Sequence, residues 1–256
     1  MIHALLPRIY NKLAVMDRSQ SMKLHLDAPI ASFTFDDFPT SAYTVAGRML
    51  EEVGARATYF VSAEFMGRTI DGIEYYSPEL VREAYAKGHE IGCHAFDHTY
   101  LGMKGAAFAR DTADRNAAAM RGVLGEQCML TSFAYPYGDV SPRVKWAMGK
   151  KFALCRGVQR TLNTGVADLA QLAVISLEMR HWDAQMLAAT IAEAKRQKSW
   201  IVFLTHDISN MPTPYGSTPE MVQATLRALA DAGIAILPLK AAAAQAIYAG
   251  SELAGK

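Results

Sequence analysis

The feature that most constrains the fold is the alternation of short apolar runs with longer segments of helical pattern. Each run is rich in β-branched or aromatic residues, which is typical of strands buried on both faces. Eight runs are predicted as strands: residues 30–35, 58–61, 90–94, 131–135, 152–155, 172–177, 201–205 and 234–237. Strands that alternate with helices predict a parallel sheet covered by helices, an α/β fold.

Helix signals separate these runs. One helix is predicted to start at Ser77, which precedes proline and glutamate, and to end at Gly88. A second is predicted to start within residues 217–220 and to end at Gly233. A third, over residues 43–52, places one apolar stripe on its face: Val45, Met49, Leu50 and Val53.

The length of 256 residues fits one closed barrel. Seven or eight strands without a linker rich in proline, glycine or serine favour a single (β/α) barrel over residues 29–256. Residues 1–28 are predicted to form an irregular arm or a leading helix. The alanine-rich stretch 241–251 is predicted to form a surface or capping helix.

Composition excludes several classes of function. Apolar residues make up 51% of the chain and charged residues 20%, as in globular proteins rather than disordered chains. With 26 basic and 25 acidic residues, the chain has no basic footprint for nucleic acid. Three widely spaced cysteines form no CxxC pair and favour a reducing compartment.

The N-terminal sequence does not resemble a signal peptide. Pro7, Arg8 and Lys12 interrupt the apolar region that such a peptide needs. No apolar run approaches the ~18 residues that a membrane span requires. We therefore expect a cytoplasmic protein with no transmembrane segment; the sequence makes no prediction of oligomeric state.

Polar residues follow four of the predicted strands. Active sites of α/β barrels lie beyond the carboxyl ends of the strands, and these positions hold Asp36 and Asp37, His94 and His98, Pro136-Tyr137-Gly138, and His206. Taken singly, each pattern is equally a turn, a helix cap or a solvated loop residue. Their shared placement predicts one site.

Five segments in order along the chain resemble the NodB-homology polysaccharide deacetylases, carbohydrate esterase family 4. TFDDFP at 34–39 resembles the family's TFDDGP, and ATYFV at 57–61 is similar to its ATFFV strand. HAFDH at 94–98 resembles HSxxH, and it follows GHEIG, which is similar to the family's usual lead-in. AYPYG at 134–138 resembles RxPYG, and VFLTH at 202–206 resembles the closing LxLxH.

The resemblance implies a distorted (β/α) barrel with a divalent metal held by Asp37, His94 and His98. Zinc is the usual ion, and cobalt or nickel would also suit one carboxylate and two imidazoles. Such a site leaves a position open for water.

The resemblance also implies the reaction, which is hydrolysis of the acetyl group of an N-acetylated sugar or another small N-acylated substrate. Asp36 would be the general base, and the backbone N–H of Tyr137 would stabilise the oxyanion together with the metal. His206 would be the general acid that protonates the departing amine.

The chain departs from the family pattern at two positions beside the base. Phe38 replaces the usual glycine; we expect it to narrow the pocket and to raise the pKa of Asp36 by desolvation. Ala134 replaces the arginine that normally orients the base, so another residue must do so. Arg180 is the candidate from another strand end, although it equally fits a surface arginine.

The family's fourth motif, an aspartate and a tryptophan that support the acid and the pocket wall, is not cleanly present. Trp182 is predicted as a pocket wall residue, while Asp183 is either the supporting aspartate or the N-cap of the next helix. The predicted substrate contacts are Pro136, Trp182, Arg180 and Phe38.

Two other functions remain open. The changes at Phe38 and Ala134 keep a hydrolase of another non-peptide C–N bond, such as a formamide or a cyclic ureide, as an alternative. The second is a non-catalytic carbohydrate-binding scaffold. A protein of this kind is expected to lack a metal-ligating residue or the catalytic base. The required residues are all present: Asp36, Asp37, His94, His98 and His206.

Overall fold

The computed structural model describes residues 2–248. The strands are β1 (Ser21–Lys23), β2 (Ile30–Phe35), β3 (Thr58–Val61), β4 (Thr69–Ile70), β5 (Ile73–Glu74), β6 (Glu90–Cys93), β7 (Ser132–Ala134), β8 (Leu154–Arg160), β9 (Val166–Asp168), β10 (Leu172–Ser176), β11 (Trp200–Thr205) and β12 (Ala235–Ile236). The α-helices are α1 (Ile2–Met16), α2 (Arg48–Glu52), α3 (Pro78–Ala86), α4 (Gly105–Leu124), α5 (Pro142–Lys151), α6 (Ala184–Gln197), α7 (Pro219–Asp231) and α8 (Leu239–Ala243). A π-helical stretch, Ala42–Gly47, leads into α2, and another, Ala244–Tyr248, follows α8.

Within the described residues, seven parallel strands close into a barrel in the order β2, β3, β6, β7, β8, β10 and β11. Closure comes from β11, which pairs with β2 from Trp200 opposite Ile30 to Thr205 opposite Phe35. On the other edge of β2, β3 pairs with the last two residues and the short β12 with the first two. The predicted (β/α) barrel is confirmed, with β12 as a partial eighth strand.

Successive side chains of a strand point in opposite directions, and strands β2, β3 and β11 are buried along their whole length and therefore on both faces. Along β11, Ile201 and Phe203 pack into the layer beneath the helices. Val202 and Leu204 instead join a cluster with residues of β2, β7, β8 and β10 inside the barrel. A large apolar side chain stabilises the fold by roughly 1.5–3 kcal/mol when it is fully buried, so both faces hold the strand in register.

Seven of the eight predicted strands match observed strands to within one residue at each end. The exception is β8, which continues to Arg160 through polar residues that do not resemble a buried strand. The helix predicted at Ser77 is present, and the Ser77 side chain accepts a hydrogen bond from the backbone N–H of Leu80. Val53 was wrongly placed on the apolar stripe, since it is 59% exposed just beyond α2.

The N-terminal segment combines α1 with β1. Helix α1 packs on α5, where the buried Lys145 donates hydrogen bonds to the carbonyl groups of Ala14 and Asp17 and pairs with Asp168. Strand β1 pairs with β9 in antiparallel orientation. Of the two forms predicted for residues 1–28, a leading helix is the one observed.

The alanine-rich C-terminal stretch caps the barrel. Leu239 and Ala242 of α8 and Ala246 beyond it belong to the apolar cluster inside the barrel. Residues 249–256, which include the end of the predicted helix, lie outside the described residues. Among residues 2–248, no helix combines the length and apolar character needed to cross a membrane.

Candidate active site

The predicted site residues converge at the carboxyl ends of the barrel strands, around a cavity of about 470 Å³. They follow four different strands (β2, β6, β7 and β11), as expected for a barrel site. The residues that line the cavity include Asp36, Asp37, His94, His98, Tyr137 and His206.

Asp37, His94 and His98 form a compact group. Oδ1 of Asp37 lies 3.1 Å from Nε2 of His98 and 3.5 Å from Nε2 of His94. Their candidate ligand atoms all lie within 4.8 Å of one another. Nδ1 of His94 lies 2.8 Å from the carbonyl oxygen of Ala134, which can only accept, so Nδ1 carries the proton and Nε2 is the free nitrogen.

The chemistry of this group fits a divalent cation. Oδ1 of Asp37 is buried without a hydrogen-bond partner among the described residues, a costly arrangement that a cation would relieve. Burial lowers the pKa of His98 to about 4, so its ring is neutral at pH 7, which is the form that binds metals. One carboxylate and two imidazoles are a common zinc donor set.

The backbone around the site is strained. Several non-glycine residues adopt positive φ angles, which cost free energy and cluster at functional sites: Asp37 (62°), Phe38 (54°), Ala95 (60°), His98 (42°) and Tyr137 (57°). Three of them are predicted metal ligands or the predicted oxyanion residue. The loops after β2, β6 and β7 therefore hold these side chains in place at a conformational cost.

Asp36 is paired with Arg156, a residue that sequence reasoning missed. The fully buried Arg156 guanidinium contacts both carboxylate oxygens of Asp36. Burial alone would raise the pKa of Asp36, but Arg156, His94 and His206 outweigh burial and hold it below its usual value. The expected rise in this pKa is therefore wrong, and Asp36 is ionised at neutral pH.

Phe38 does not narrow the pocket. Its side chain is fully buried away from the cavity and stacks on Tyr59 and Tyr76, with ring centroids 4.3 and 5.1 Å apart. The positive φ angle at position 38 explains why glycine would also suit this turn. Phe38 is part of an aromatic core, and the prediction that it contacts the substrate is wrong.

His206 follows β11, the strand that pairs with β2, so its loop neighbours the loop that holds Asp36 and Asp37. Its Nδ1 lies 3.2 Å from the carbonyl oxygen of Tyr215 and 3.9 Å from Oε1 of Glu178. Glu178 is buried and also binds Arg180 at 3.1 Å. Arg180 therefore lines the cavity as predicted but does not orient Asp36, because its guanidinium belongs to Glu178.

The remaining predicted residues separate into two groups. Tyr137 lines the cavity, and its half-exposed ring stacks on Tyr100 with centroids 4.1 Å apart. Neither Pro136 nor Trp182 is among the residues that line the cavity. Pro136 is buried, and Trp182 packs against the core beneath the helices. Asp183 is the N-cap of α6: its carboxylate accepts hydrogen bonds from two backbone N–H groups of the first turn.

Glu178 and Arg156 are the polar residues that the motifs did not reveal. Arg156 sits directly opposite Ala134, the position that lacks the family's arginine, in the pairing of β7 with β8. An arginine directly after the apolar run 152–155 was the available signal. Glu178 follows β10 at the same end of the barrel as His206, where an acidic residue after a strand was an equivalent signal.

Residues 23–152, just over half of the chain, match the family model for polysaccharide deacetylases. The closed barrel and the site at its carboxyl end are those of a NodB-type α/β barrel, and the chain belongs to the polysaccharide deacetylase family. No curated protein sequence matches the chain significantly.

Solved structures share the fold at low sequence identity. A family 4 acetyl xylan esterase from Clostridium thermocellum, in complex with a cobalt ion, is 19% identical, with a TM-score of 0.56 over 83% of this chain and 89% of that chain. A peptidoglycan N-acetylglucosamine deacetylase bound to a benzamide derivative is 16% identical, with a TM-score of 0.60 over 86% and 90%. A CE4 family pseudoenzyme from Bacillus anthracis is 13% identical, with a TM-score of 0.56 over 86% and 67%.

Proposed function

We propose that this protein is a metal-dependent deacetylase that hydrolyses the acetyl group of an N-acetylated sugar or glycoconjugate and releases acetate. The observation that carries the proposal is the group formed by Asp37, His94 and His98, in which a buried carboxylate oxygen has no hydrogen-bond partner among residues 2–248. This group shares one cavity with Asp36 and His206, the predicted base and acid.

A divalent cation bound by these three residues would polarise the acyl oxygen of the substrate and acidify a water molecule. Asp36, kept ionised by Arg156, accepts the proton of the attacking water. The backbone N–H of Tyr137, on the cavity wall, donates a hydrogen bond to the developing oxyanion.

His206 donates the proton that lets the amine leave as a neutral group. Its Nδ1 donates a hydrogen bond to the carbonyl oxygen of Tyr215, so the proton that is exchanged with the substrate is the one on Nε2. Glu178, at 3.9 Å from Nδ1, supports the protonated ring.

Two of the structural neighbours support this proposal. One was solved with a cobalt ion, and another is a deacetylase of N-acetylglucosamine residues in peptidoglycan. The pseudoenzyme neighbour demonstrates that the fold alone does not guarantee activity. The complete set of acid, base and ligand residues is what argues for an active enzyme here.

The test is acetate release from N-acetylglucosamine oligomers by protein loaded with zinc, and by the same protein after chelation. We expect acetate with the metal and a loss of release without it, restored when zinc or cobalt is added back. Release of formate from formamides, or opening of a cyclic ureide, without any acetate would instead establish the alternative hydrolase. Metal-loaded protein that turns over none of these substrates would contradict both.

A further inference from the structure

One wall of the cavity carries arginine side chains that the proposed deacetylation does not use. Strand β8 supplies Val158 and Arg160 to this wall, beyond the buried Arg156. Between its pairings Arg156–Leu172 and Arg160–Val174, β8 contains two more residues than β10, which is a bulge. Bulges beside active sites redirect side chains, and this one places Arg160 at the cavity.

The two guanidinium groups on the wall differ in their partners. Arg180 is held by Glu178 through Nε and Nη2 and stacks over the ring of Tyr215 at 4.1 Å, so its plane is fixed. Its Nη1 makes no hydrogen bond to any residue in the described part of the chain. Arg160 is exposed and forms no ion pair within residues 2–248.

The charges around the cavity balance before any metal is added. Three carboxylates and three guanidinium groups line it or lie directly behind it: Asp36, Asp37, Glu178, Arg156, Arg160 and Arg180. A divalent cation on Asp37 would therefore leave the cavity positively charged. A positive, partly enclosed cavity attracts and orients an anionic ligand.

We propose that the substrate carries an acidic group, a carboxylate or a phosphate ester, close to its N-acetylated sugar, and that Arg160 and Arg180 bind this group. This inference rests on the proposed deacetylase function and names the class of substrate. An arginine pairs with either acid through parallel hydrogen bonds. The guanidinium group of Arg160 is unpaired among the described residues and can donate two parallel hydrogen bonds to the acid. The guanidinium group of Arg180 is already oriented by Glu178 and can donate a further one.

The experiment compares three N-acetylglucosamine oligosaccharides of equal length with metal-loaded protein. One is neutral, one carries a phosphate ester at the reducing end, and one contains glucuronic acid in place of alternate sugars. Acetate release gives kcat and KM for each. We expect kcat/KM for at least one acidic substrate to exceed that of the neutral one by about tenfold, chiefly through KM, and the preference to shrink as salt is added.

Variants of Arg160 test whether this residue causes the preference for acidic substrates. In Arg160→Gln, the ratio of kcat/KM for the acidic substrate to that for the neutral one should fall about tenfold, and Arg160→Lys should keep part of it. Arg82→Gln, which alters an exposed arginine on α3, is the matched control and should leave the ratio unchanged. Metal content and thermal unfolding show that each variant is folded.

The outcomes separate this inference from the proposed function. The inference would be overturned if acetate release were equal for neutral and acidic oligosaccharides, or if the preference for acidic ones survived Arg160→Gln. Either result would leave the proposed deacetylase function standing. Release from none of them would remove the proposed function and this inference with it. Equilibrium binding of the same oligosaccharides to Asp36→Asn protein gives a second readout, in which the acidic ligand should bind more tightly.

Discussion

Asp36 retains a buried counter-ion although position 134, where the family has arginine, is alanine. The guanidinium comes instead from Arg156, one strand further round the barrel and directly paired with Ala134. A base with both oxygens held by an arginine stays ionised and fixed in direction. In this chain the positive charge beside Asp36 therefore comes from β8 and not from position 134.

Arg156→Met is expected to leave Asp36 buried without its cation. Breaking a buried ion pair in this way costs about 3–5 kcal/mol, so the free energy of unfolding should fall by that order and acetate release should nearly vanish. Arg156→Lys restores the charge without the fork and should recover part of both. Chemical denaturation and kcat of the three proteins give the comparison, and equal behaviour of the Met and Lys variants would contradict the assignment.

Strand β8 explains where sequence reasoning succeeded and where it failed. Strands such as β2 and β3 were predicted with their observed ends because they are apolar on both faces. The apolar pattern stops at Cys155, whereas the hydrogen-bonded strand continues to Arg160. Apolar periodicity measures burial, and it does not detect a strand whose last residues face a polar cavity.

The motifs predicted that the candidate metal ligands lie together, but they did not predict the residues that pair with Asp36 and His206. Asp37, His94 and His98 lie together because each closely follows a barrel strand, which the sequence predicts. The partners of Asp36 and His206 come from β8 and the loop after β10, and only the three-dimensional pairing of strands brings them near. Trp182 was misassigned because a tryptophan beside a helix cap suits a core position equally well.

Two acidic residues before α6, Glu178 and Asp183, are candidates for the carboxylate that supports His206, and variants distinguish them. Asp183→Ala removes the N-cap and should lower the free energy of unfolding by about 1 kcal/mol, with kcat close to that of the wild type. With the neutral oligosaccharide, which does not engage Arg180, Glu178→Gln should lower kcat roughly tenfold with little change in KM, because the support for the protonated ring is lost. The opposite pattern, in which Asp183→Ala alone impairs turnover, would restore Asp183 as the family's supporting aspartate.

Helix α1 is attached to the barrel by a buried lysine. Lys145 on α5 binds two carbonyl groups near the end of α1 and the carboxylate of Asp168. Lys145→Met should destabilise the protein by about 3 kcal/mol and raise hydrogen exchange across α1 and β1. The control is Lys150→Met, which changes an exposed lysine on α5, the helix that also carries Lys145. Unchanged exchange in α1 would show that apolar packing alone holds it.

The candidate site and the apolar core occupy separate parts of the molecule. The barrel is closed by β2 and β11 and filled by apolar side chains, while the candidate metal ligands lie beyond the strand ends. The metal-free protein should therefore be folded. Zinc at about a hundredfold excess over its Kd should raise Tm by about 5–10 °C through binding to the native state. A metal-free protein without a cooperative transition would contradict this separation.

In the proposed mechanism Asp37 holds a metal ion, while Asp36, its neighbour in sequence, takes the proton. Metal content and acetate release, measured together on Asp36→Asn and Asp37→Asn, test this directly. We predict about one metal ion per chain in Asp36→Asn with kcat reduced at least 100-fold, and loss of both metal and activity in Asp37→Asn. Loss of the metal from Asp36→Asn and its retention by Asp37→Asn would contradict this assignment of the two aspartates.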